Sequence, residues 1–461
     1  MIRIFRHYIS GIFLGLVLLE IGVFFSSIYC GFLFRYQTTL PIDQTLIIQS
    51  GIYTLVMLVS NTGMGLYQRT QTWGEAGLLV RILVSLLLGT LVLSLVFYAF
   101  PDIAVGRGVL GYTLFSTFAG VTILRILFYS VVDQRVLKRR VLVFGGGRNA
   151  NKIIELERSN STQNIRVIGC IALEDQPTHV PQQKLIYLKM PLNEFAIKED
   201  IDEIVIAPDD RRKGLPVDEF LDCKMNGFEV VDLLAFFERE AGFIRVDSLY
   251  PSWLVFSDGF RAGFIRLSSK RIFDIIASLI LLLVTWPVML LTMIAIKLES
   301  RLKGPVFYCQ TRVGLGWRLF RVIKFRSMRT DAEVAGKPRM ASRHDDRVTF
   351  VGKFIRKTRI DELPQLFNVL KGEMSFVGPR PERPEFVEKF AESIPYYSER
   401  HRVKPGITGW AQLCYPYGEN ENDALNKLQY DLYYVKNYSL FFDLIIILQT
   451  IEVVLWGKGA R

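Results

Sequence analysis

The chain has 461 residues, half of them hydrophobic, and a formal net charge of +11 with a pI near 9.3. This length requires more than one domain, and the positive charge suits anionic partners such as phospholipid headgroups, phosphorylated substrates or nucleic acid. Five scattered cysteines without a C-x-x-C pair exclude a disulfide scaffold and a cysteine-type zinc site. Only four histidines are present, which disfavours a histidine-based metal centre.

Four apolar segments open the chain, at about residues 9–33, 45–66, 79–100 and 109–132. Each has about 20 residues or more, enough to cross the hydrocarbon core of a bilayer. We expect these spans to be nearly free of buried charge apart from Glu20. The positive-inside rule places the N-terminus and everything after residue 135 in the cytoplasm, on account of the basic residues Arg3, Arg6, Arg69, Arg81, Arg135, Lys138, Arg139 and Arg140.

A glycine-rich turn follows the strand-like run Val141–Phe144. Gly145, Gly147 and Ala150 fit the pattern G-x-G-x-x-[G/A], in which a backbone approaches a phosphate at a helix N-terminus. Further strand-like runs, IRVIGCIAL, DEIVIAP and FEVVDLL, predict an α/β domain with a parallel sheet. The turn is either a nucleotide site or a place where strand and helix pack tightly. The lack of an acid about 20 residues later favours a degenerate, structural domain.

A fifth apolar segment, at about residues 270–297, is basic on both flanks. A spanning helix would leave one basic cluster on the outer face, against the positive-inside rule. Pro287, near the middle, removes a backbone hydrogen bond and bends a helix. We therefore predict a re-entrant helix that enters one leaflet and returns. The alternative is an ordinary fifth span with a proline kink.

Two cationic motifs follow. The alternation in FRVIKF predicts a strand with Lys324 and Arg326 on one face, where neighbouring cations suit a diphosphate. The alternative is a solvated basic edge strand. Downstream, VGPRPERP carries Arg380 on a loop stiffened by prolines. That loop is either a ligand-binding element or a rigid turn.

The stretch RKTRIDELPQ places Asp361 and Glu362 just before a short predicted helix at 363–370, with Pro364 in its first turn. Acids at this position commonly cap free amides, which is one interpretation. The nearby cations, Arg356 among them, indicate instead a phosphate pocket in which carboxylates bind Mg²⁺. Consecutive residues of a helix do not face each other, so two catalytic acids would have separate roles.

Two C-terminal features remain. Trp410, in RVKPGITGWAQ, indicates either a nucleobase platform or a membrane-surface loop. The apolar tail YSLFFDLIIILQTIEVVLW is interrupted by Asp443 and Glu452, so we expect a helix lying at the membrane interface rather than a span.

The motifs KFRSM, DELPQLFNVLKGEMSFVGPRP, KPGITGWAQ and DLYYVKNYS, in this order, resemble the monotopic polyprenyl-phosphate phosphoglycosyl transferases of bacterial glycoconjugate assembly. The resemblance covers about residues 266–461. The whole chain looks like the large WbaP-like members, and particularly like the exopolysaccharide sugar transferases associated with PEP-CTERM systems. The expected fold class is membrane α plus α/β: a four-helix transmembrane domain at 1–134, a Rossmann-like domain at 135–255, and a catalytic domain with the re-entrant helix at 262–461.

The resemblance implies transfer of a sugar 1-phosphate from a UDP-sugar to undecaprenyl phosphate, with release of UMP and with Mg²⁺ as cofactor. The enzyme would act at the cytoplasmic face of the bacterial inner membrane, with no nucleic-acid partner and as a homodimer. By resemblance, Asp361 is the nucleophile that forms an aspartyl phosphosugar, and Glu362 assists metal binding or acceptor activation. Lys324, Arg356 and Arg380 fall on phosphate-binding positions. Trp286 departs from the family, which has serine before the proline of the re-entrant helix.

Two other classes of protein make different demands on the sequence. A membrane-anchored NAD-dependent sugar dehydratase or epimerase would need Tyr-x-x-x-Lys, and none of the 19 tyrosines has lysine four residues on. A transporter or polysaccharide-export scaffold would need buried charges in the spans, which the expectation of nearly charge-free spans disfavours.

Overall fold

The computed structural model describes residues 2–4, 7–9, 11–37, 43–67, 75–132, 138–158, 165–173, 176–210, 215–260, 263–330, 347–415 and 420–455. The chain divides into two compact units: Met1–Ile2 with Tyr8–Gly242, and Arg3–His7 with Phe243–Arg461. Arg6, Arg69 and Arg135, which entered the orientation argument, lie outside the described residues.

The described helices, in chain order, are α1 Gly11–Tyr36, α2 Gln44–Gly63, α3 Glu75–Ala99, α4 Arg107–Val132, α5 Arg148–Arg158, α6 Leu192–Lys198, α7 Val217–Met225, α8 Leu233–Ala241, α9 Pro251–Phe256, α10 Phe264–Glu299, α11 Phe350–Lys357, α12 Gln365–Lys371, α13 Pro384–Ser393, α14 Trp410–Cys414, α15 Glu421–Asn437 and α16 Leu440–Leu455. The described strands are β1 Ile2–Ile4, β2 His7–Ile9, β3 Arg139–Phe144, β4 Ile165–Ile171, β5 Leu185–Ile186, β6 Glu203–Ile206, β7 Glu229–Asp232, β8 Phe307–Val313, β9 Leu319–Phe325, β10 Ser375–Val377 and β11 Gly406–Thr408.

The four predicted N-terminal segments form helices α1 to α4, and α1 packs against both α2 and α4. Phe24, Tyr53, Met57 and Val121 lie in their shared apolar core. In the described part of the chain, five helical stretches are long and apolar enough to cross a membrane: Leu14–Tyr36, Gln44–Gly63, Gly77–Ala99, Arg107–Phe128 and Phe264–Glu299. The first four lie in the segments that the sequence marked as apolar.

The expectation of nearly charge-free spans is wrong. Arg125 of α4 is fully buried and forms an ion pair with Glu20 of α1, at 2.6 Å from Nε to Oε1. Arg81 of α3 is also buried, and it donates to the Met64 carbonyl at 2.6 Å. Asn61 donates to the Glu20 carboxylate as well. Arg125 and Glu20 are paired inside the bundle, as buried charges require. The presence of buried charge removes this objection to an export scaffold.

Strands β3 to β7 form a parallel sheet in the order β5-β4-β3-β6-β7, which confirms the predicted α/β domain with a parallel sheet. In the register of the sheet, Arg139 of β3 lies opposite Ile165 of β4, and Val141 of β3 lies opposite Glu203 of β6. After β5 the chain returns to the other side of β3, so the topological switch point lies between β3 and β6. β5 escaped prediction because a two-residue edge strand has no readable periodicity.

Helix α10 runs from Phe264 to Glu299 with Pro287 inside it. Its 36 residues would extend about 54 Å when straight, well beyond the thickness of a hydrocarbon core. Trp286 stands where the resemblance implies a serine. Thr285, one residue earlier, carries a hydroxyl, and its Oγ1 donates to the Leu281 carbonyl at 2.7 Å. Re-entry into one leaflet stays a prediction.

The start of α10 is held in the second unit by buried polar groups. Lys270 Nζ donates to Asp443 Oδ2 of α16 at 2.6 Å and to the Val377 carbonyl of β10 at 3.1 Å. The Asp274 carboxylate accepts from the Ser375 hydroxyl and from the Phe376 amide, at 3.0 and 2.9 Å. The base of α10 is thereby bonded to the strand that precedes the Arg380 loop.

The structure bears on two interpretations of the C-terminal region. Trp410 is half-buried and packs against Tyr433 and Phe442, so its ring belongs to the core of this unit rather than to a nucleobase platform or membrane-surface loop. Asp443 and Glu452 of α16 are buried as well, so these acids face protein and give no evidence for an interfacial helix, which stays a prediction. The buried charge of Asp443 is compensated by Lys270.

Candidate active site

Asp361 and Glu362 lie in a tight turn between α11 and α12. Arg359 adopts a left-handed conformation (φ 60°) after α11, and a single 3₁₀ turn, Ile360–Glu362, follows. Pro364 then precedes α12, with no side chain capping the helix. Both acids are buried, with 9% and 7% of their surface exposed. Their position before a helix agrees with the prediction from the sequence. The capping interpretation is wrong, because neither carboxylate caps the amides at the start of α12.

The Glu362 carboxylate is surrounded by cations. Its Oε1 lies 3.1 Å from Lys324 Nζ, 3.0 Å from Arg380 Nη2 and 3.7 Å from Arg359 Nη1. Burial would by itself raise the pKa of Glu362, but these three positive charges outweigh burial and hold the pKa well below its usual range. Glu362 is therefore a permanent anion that orients three cations around one oxygen.

Asp361 has the opposite character. Its Oδ1 atom is buried and has no hydrogen-bond partner among the residues that the structure describes. Burial, followed by the negative charge of Glu362, raises the pKa of Asp361 to about 6, with Lys324, Arg359 and Arg356 offsetting part of the rise. The two acids are not equivalent: one is saturated by cations, and the other keeps a free buried oxygen.

Strand β9 brings Lys324 to the dyad, and Asn368 of α12 holds that strand in place. The fully buried Asn368 accepts from the Ile323 amide at 3.1 Å and donates to the Arg321 carbonyl at 2.8 Å. Its amide thus pairs with the free edge of β9 as a neighbouring strand would. Asn368 was not predicted, although an asparagine within the apolar run QLFNVL is the signal that could have revealed it.

The Arg380 loop is fixed through its backbone. Four successive carbonyls accept hydrogen bonds from four separate donors: Pro379 from Gly406 N at 2.9 Å, Arg380 from Arg400 Nη2 at 2.9 Å, Pro381 from Arg312 Nη1 at 3.3 Å, and Glu382 from Val313 N at 3.0 Å. The prolines of the loop have no backbone N–H to donate. The conformation of the loop therefore depends on the four donors from other segments. The loop therefore presents the Arg380 side chain to Glu362 from a rigid backbone.

Arg400, which sequence reasoning missed, is the buried centre of this support. It donates to the Tyr397 hydroxyl at 2.7 Å and forms an ion pair with Asp431 at 2.9 Å, and both partners are nearly inaccessible. His401 lies beside it against the Trp317 ring. Burial and the Arg400 charge lower the pKa of His401 to about 3, so the imidazole is neutral. Asp431 and Trp317 come from distant segments, so the local sequence gave no signal for these contacts.

The other two predicted phosphate-binding arginines are placed differently. Arg356 lies in the last turn of α11, close enough for its charge to lower the pKa of Asp361. Arg326 comes one residue after the end of β9, and its guanidinium packs against Gly304, which has no room for a Cβ. The structure thus brings Lys324 and Arg380 onto Glu362, and it places the Arg326 guanidinium against Gly304.

The dyad fits a divalent oxygen-binding cation. Among the described residues there is no group of three acids, histidines or cysteines that could hold a metal alone. The dyad offers the buried Asp361 Oδ1, which has no partner among the described residues, and the Glu362 carboxylate, whose Oε1 faces three cations. Mg²⁺ usually takes one or two protein carboxylates and completes its shell with substrate phosphates and water.

The glycine-rich turn of the first unit is filled by a side chain. Asp209, which follows β6, accepts hydrogen bonds from the amides of Arg148 and Asn149 at the start of α5, both at 2.8 Å. A Cβ on Gly147 would overlap this carboxylate. The glycine therefore permits a close approach, as predicted, but the group that approaches is part of the protein.

Two family models match different parts of this chain. The family model described as bacterial sugar transferase matches residues 265–457, and the model described as CoA-binding domain matches residues 63–208. A UDP-N-acetylgalactosamine-undecaprenyl-phosphate N-acetylgalactosaminephosphotransferase from Aeromonas hydrophila is 45% identical over 239 residues, 52% of this chain and 55% of that protein. An undecaprenyl-phosphate glucose phosphotransferase from Komagataeibacter xylinus is 47% identical over 196 residues, 41% of this chain and 36% of that protein.

A shorter relative is covered more fully. The UDP-glucose:undecaprenyl-phosphate glucose-1-phosphate transferase of Caulobacter vibrioides is 42% identical over 193 residues, which is 41% of this chain and 71% of that protein. For the Aeromonas and Komagataeibacter proteins, the chain spans about half or less of the relative's length. The residues matched by the bacterial sugar transferase model, 265–457, include the acidic dyad.

Proposed function

Because the chain belongs to the bacterial sugar transferase family, we propose that it transfers a sugar 1-phosphate from a UDP-sugar to undecaprenyl phosphate in the bacterial inner membrane. The active site is the buried dyad with its cations. The observation that carries the proposal is the division of labour in this dyad: Glu362 Oε1 gathers Lys324, Arg380 and Arg359, whereas Asp361 Oδ1 has no partner among the described residues.

The proposed reaction has two displacements at one phosphorus atom. An Asp361 oxygen attacks the β-phosphorus of the UDP-sugar, and the bond from this phosphorus to the bridging oxygen breaks. UMP leaves with the electron pair of that bond, and an aspartyl phosphosugar remains. An oxygen of undecaprenyl phosphate then attacks the same phosphorus, which releases the Asp361 carboxylate and forms the lipid-linked product.

The cations stabilise the charge that develops on the phosphoryl oxygens. Lys324 and Arg380 already face the dyad before substrate arrives, so no reorganisation is needed at the moment of reaction. We propose that Asp361 and Glu362 hold Mg²⁺, which when bound neutralises phosphate charge and acts as a Lewis acid. The remote Arg312 and Arg400 act by fixing the backbone from which Arg380 projects.

The proposed activity is tested with the full chain in detergent or nanodiscs, given undecaprenyl phosphate, Mg²⁺ and one UDP-sugar at a time. UDP-glucose and UDP-N-acetylgalactosamine head the panel, since related proteins carry these sugars in their names. We expect release of UMP with at least one donor. Absence of UMP with every donor, in protein shown to be folded, would reject the proposed function.

The covalent step has its own test. Wild-type protein given UDP-sugar without acceptor should gain the mass of one phosphosugar on the peptide that contains Asp361. Asp361→Asn should show neither adduct nor turnover, whereas Asp423→Asn, at the start of α15, should retain both. Turnover by Asp361→Asn would remove this residue from the nucleophile role.

Orientation and assembly are further proposals. We propose that the second unit faces the cytoplasm, as a re-entrant α10 requires. Cys309 in β8 is exposed and can report this in a variant whose other cysteines are replaced. A membrane-impermeant maleimide should label it only after the inner membrane is opened. Labelling in intact spheroplasts would establish α10 as a fifth span. The proposed homodimer is tested by the mass of the detergent-solubilised particle.

A further inference from the structure

The sheet of the first unit has the strand order of doubly wound folds, which bind ligands at one defined place. Such ligands lie beyond the carboxyl ends of the strands at the topological switch point, and their phosphates contact the helix that follows the first strand. Here that location lies beyond β3 and β6, at the start of α5. The turn Gly145–Ala150 supplies the amides, and the name of the matched CoA-binding model suggests an occupant with a diphosphate.

The residue that reaches this location comes from the opposite side of the switch point. Asp209 lies three residues after the end of β6, and its two oxygens accept from two successive amides of the α5 start. A carboxylate on consecutive helix N-terminal amides satisfies the same donors that a phosphate would use, and it offsets the positive end of the helix dipole. Gly147 leaves just enough space for it.

Hydrogen bonds from two neighbouring segments hold the backbone around Asp209. They place its side chain at the start of α5. Its amide donates to Gln176 Oε1 at 3.0 Å, and Gln176 Nε2 in turn donates to the Asp210 carbonyl at 3.0 Å. The preceding Pro208 carbonyl accepts from Asn149 Nδ2 at 3.1 Å. These bonds connect the segment after β6 to both the α5 start and the segment after β4.

We infer that Asp209 is an internal anion that permanently occupies the phosphate position of this fold, so that the domain binds neither CoA nor a nucleotide at its switch point. The donors present do not fit a ligand phosphate, since both amides are already used and a second anion would meet the Asp209 charge. The domain serves as a structural element, and the inference is independent of the proposed transferase activity.

The inference is tested by hydrogen–deuterium exchange of the peptide spanning residues 145–158 in the full chain. We expect that CoA, NAD⁺ and UDP give no added protection to the wild-type peptide. Asp209→Ala should expose the two amides and accelerate their exchange about tenfold. Phosphate in place of chloride, at matched ionic strength, should reverse that acceleration by filling the vacated position.

Asp202→Ala is the matched control. Asp202 is also an exposed carboxylate on a backbone amide of this unit, accepting from Arg140 N at 2.7 Å, but it does not lie at a helix start. Its removal should accelerate exchange near residue 140 with no recovery in phosphate. Should Asp209→Ala fail to fold, Asp209→Asn keeps one acceptor and should respond to phosphate in the same sense. Protection of the wild type by any of the three ligands, or no phosphate effect in either Asp209 variant, would overturn the inference.

Discussion

Two turns in this protein hold carboxylates, and they differ in whether every carboxylate oxygen has a partner. At the glycine-rich turn, the oxygens of Asp209 are matched by two backbone amides. At the acidic dyad, Glu362 is matched by side-chain cations, while Asp361 keeps an unmatched buried oxygen among the described residues. A satisfied anion stabilises a fold, whereas an unsatisfied one costs stability and persists at reactive sites.

The comparison also separates motif from function. Gly145, Gly147 and Ala150 match a phosphate-binding pattern, yet the geometry is complete without a ligand. The dyad lies in a short acidic turn that matches no such pattern. Its surroundings nevertheless leave the buried Asp361 Oδ1 without a hydrogen-bond partner among the described residues. The proposed reactive site is therefore chosen by its unsatisfied buried oxygen and not by a pattern of glycines.

The largest effect is expected from neutralising Glu362. Glu362→Gln leaves Lys324 and Arg380 without their shared anion, so both side chains lose their placement, and UMP release should fall by about 10²–10³-fold. Glu388→Gln, an exposed acid on α13, is the control and should be unaffected. A Glu362→Gln enzyme with more than about a tenth of the wild-type rate would contradict the role given to this acid.

The next largest effect concerns the support of the Arg380 loop. Arg400→Met leaves Asp431 buried without its cation, which should destabilise the second unit by about 3–5 kcal/mol in thermal unfolding. Arg400→Met with Asp431→Leu removes both charges and should recover most of that stability. The double variant still lacks the donor to the Arg380 carbonyl, so its rate of UMP release should stay below wild type. Recovery of the full rate would show that Arg400 has no positioning role.

A smaller effect is expected at Asn368. Asn368→Leu leaves the Ile323 amide and the Arg321 carbonyl without their partner, at a cost of about 1–3 kcal/mol of stability. Because β9 carries Lys324, we also expect a lower kcat with little change in KM. Thermal unfolding and steady-state kinetics measure both. Asn226→Leu, at an exposed position in the first unit, should alter neither quantity.

The smallest effect is a pH dependence from His401. Its pKa is lowered from 6.5 to about 3 by burial and by Arg400, so the unfolded state binds the proton more readily. The contribution of neutral His401 to stability is complete above pH 6.5 and is lost as pH falls toward 3, by about 2 kcal/mol at pH 5. His401→Gln should therefore lose less Tm than wild type between pH 7.5 and pH 5. Parallel losses in the two proteins would rule out His401 as the source.

Sequence periodicity predicted the helices α1 to α4 and the strands β3, β4, β6 and β7, because these elements have long apolar runs or follow one another regularly. The clustered charges and the family resemblance singled out Asp361, Glu362, Lys324 and Arg380, which the structure brings together. The groups that complete each site escaped prediction. Asp209 lies about 60 residues from the amides it caps, and no local pattern records such a pairing.

The partners of the buried charges in the apolar N-terminal helices escaped for the same reason. Arg125 reads as an isolated charge in an apolar segment, and its partner Glu20 lies on another helix. Arg400 and Asp431 likewise become a pair only after folding. Periodicity reports which side of an element is apolar, whereas polar partners are chosen by tertiary packing.

The bonds at the base of α10 have a practical consequence for protein production. Versions that begin after residue 300, made to obtain a soluble enzyme, would remove Lys270 and Asp274 together with the helix. Asp443 would then be a buried carboxylate without its cation, and the Ser375 hydroxyl and Phe376 amide would lose their acceptor. We therefore expect such a truncation to destabilise the strand leading to Arg380, and we expect the full chain to be the better form for purification.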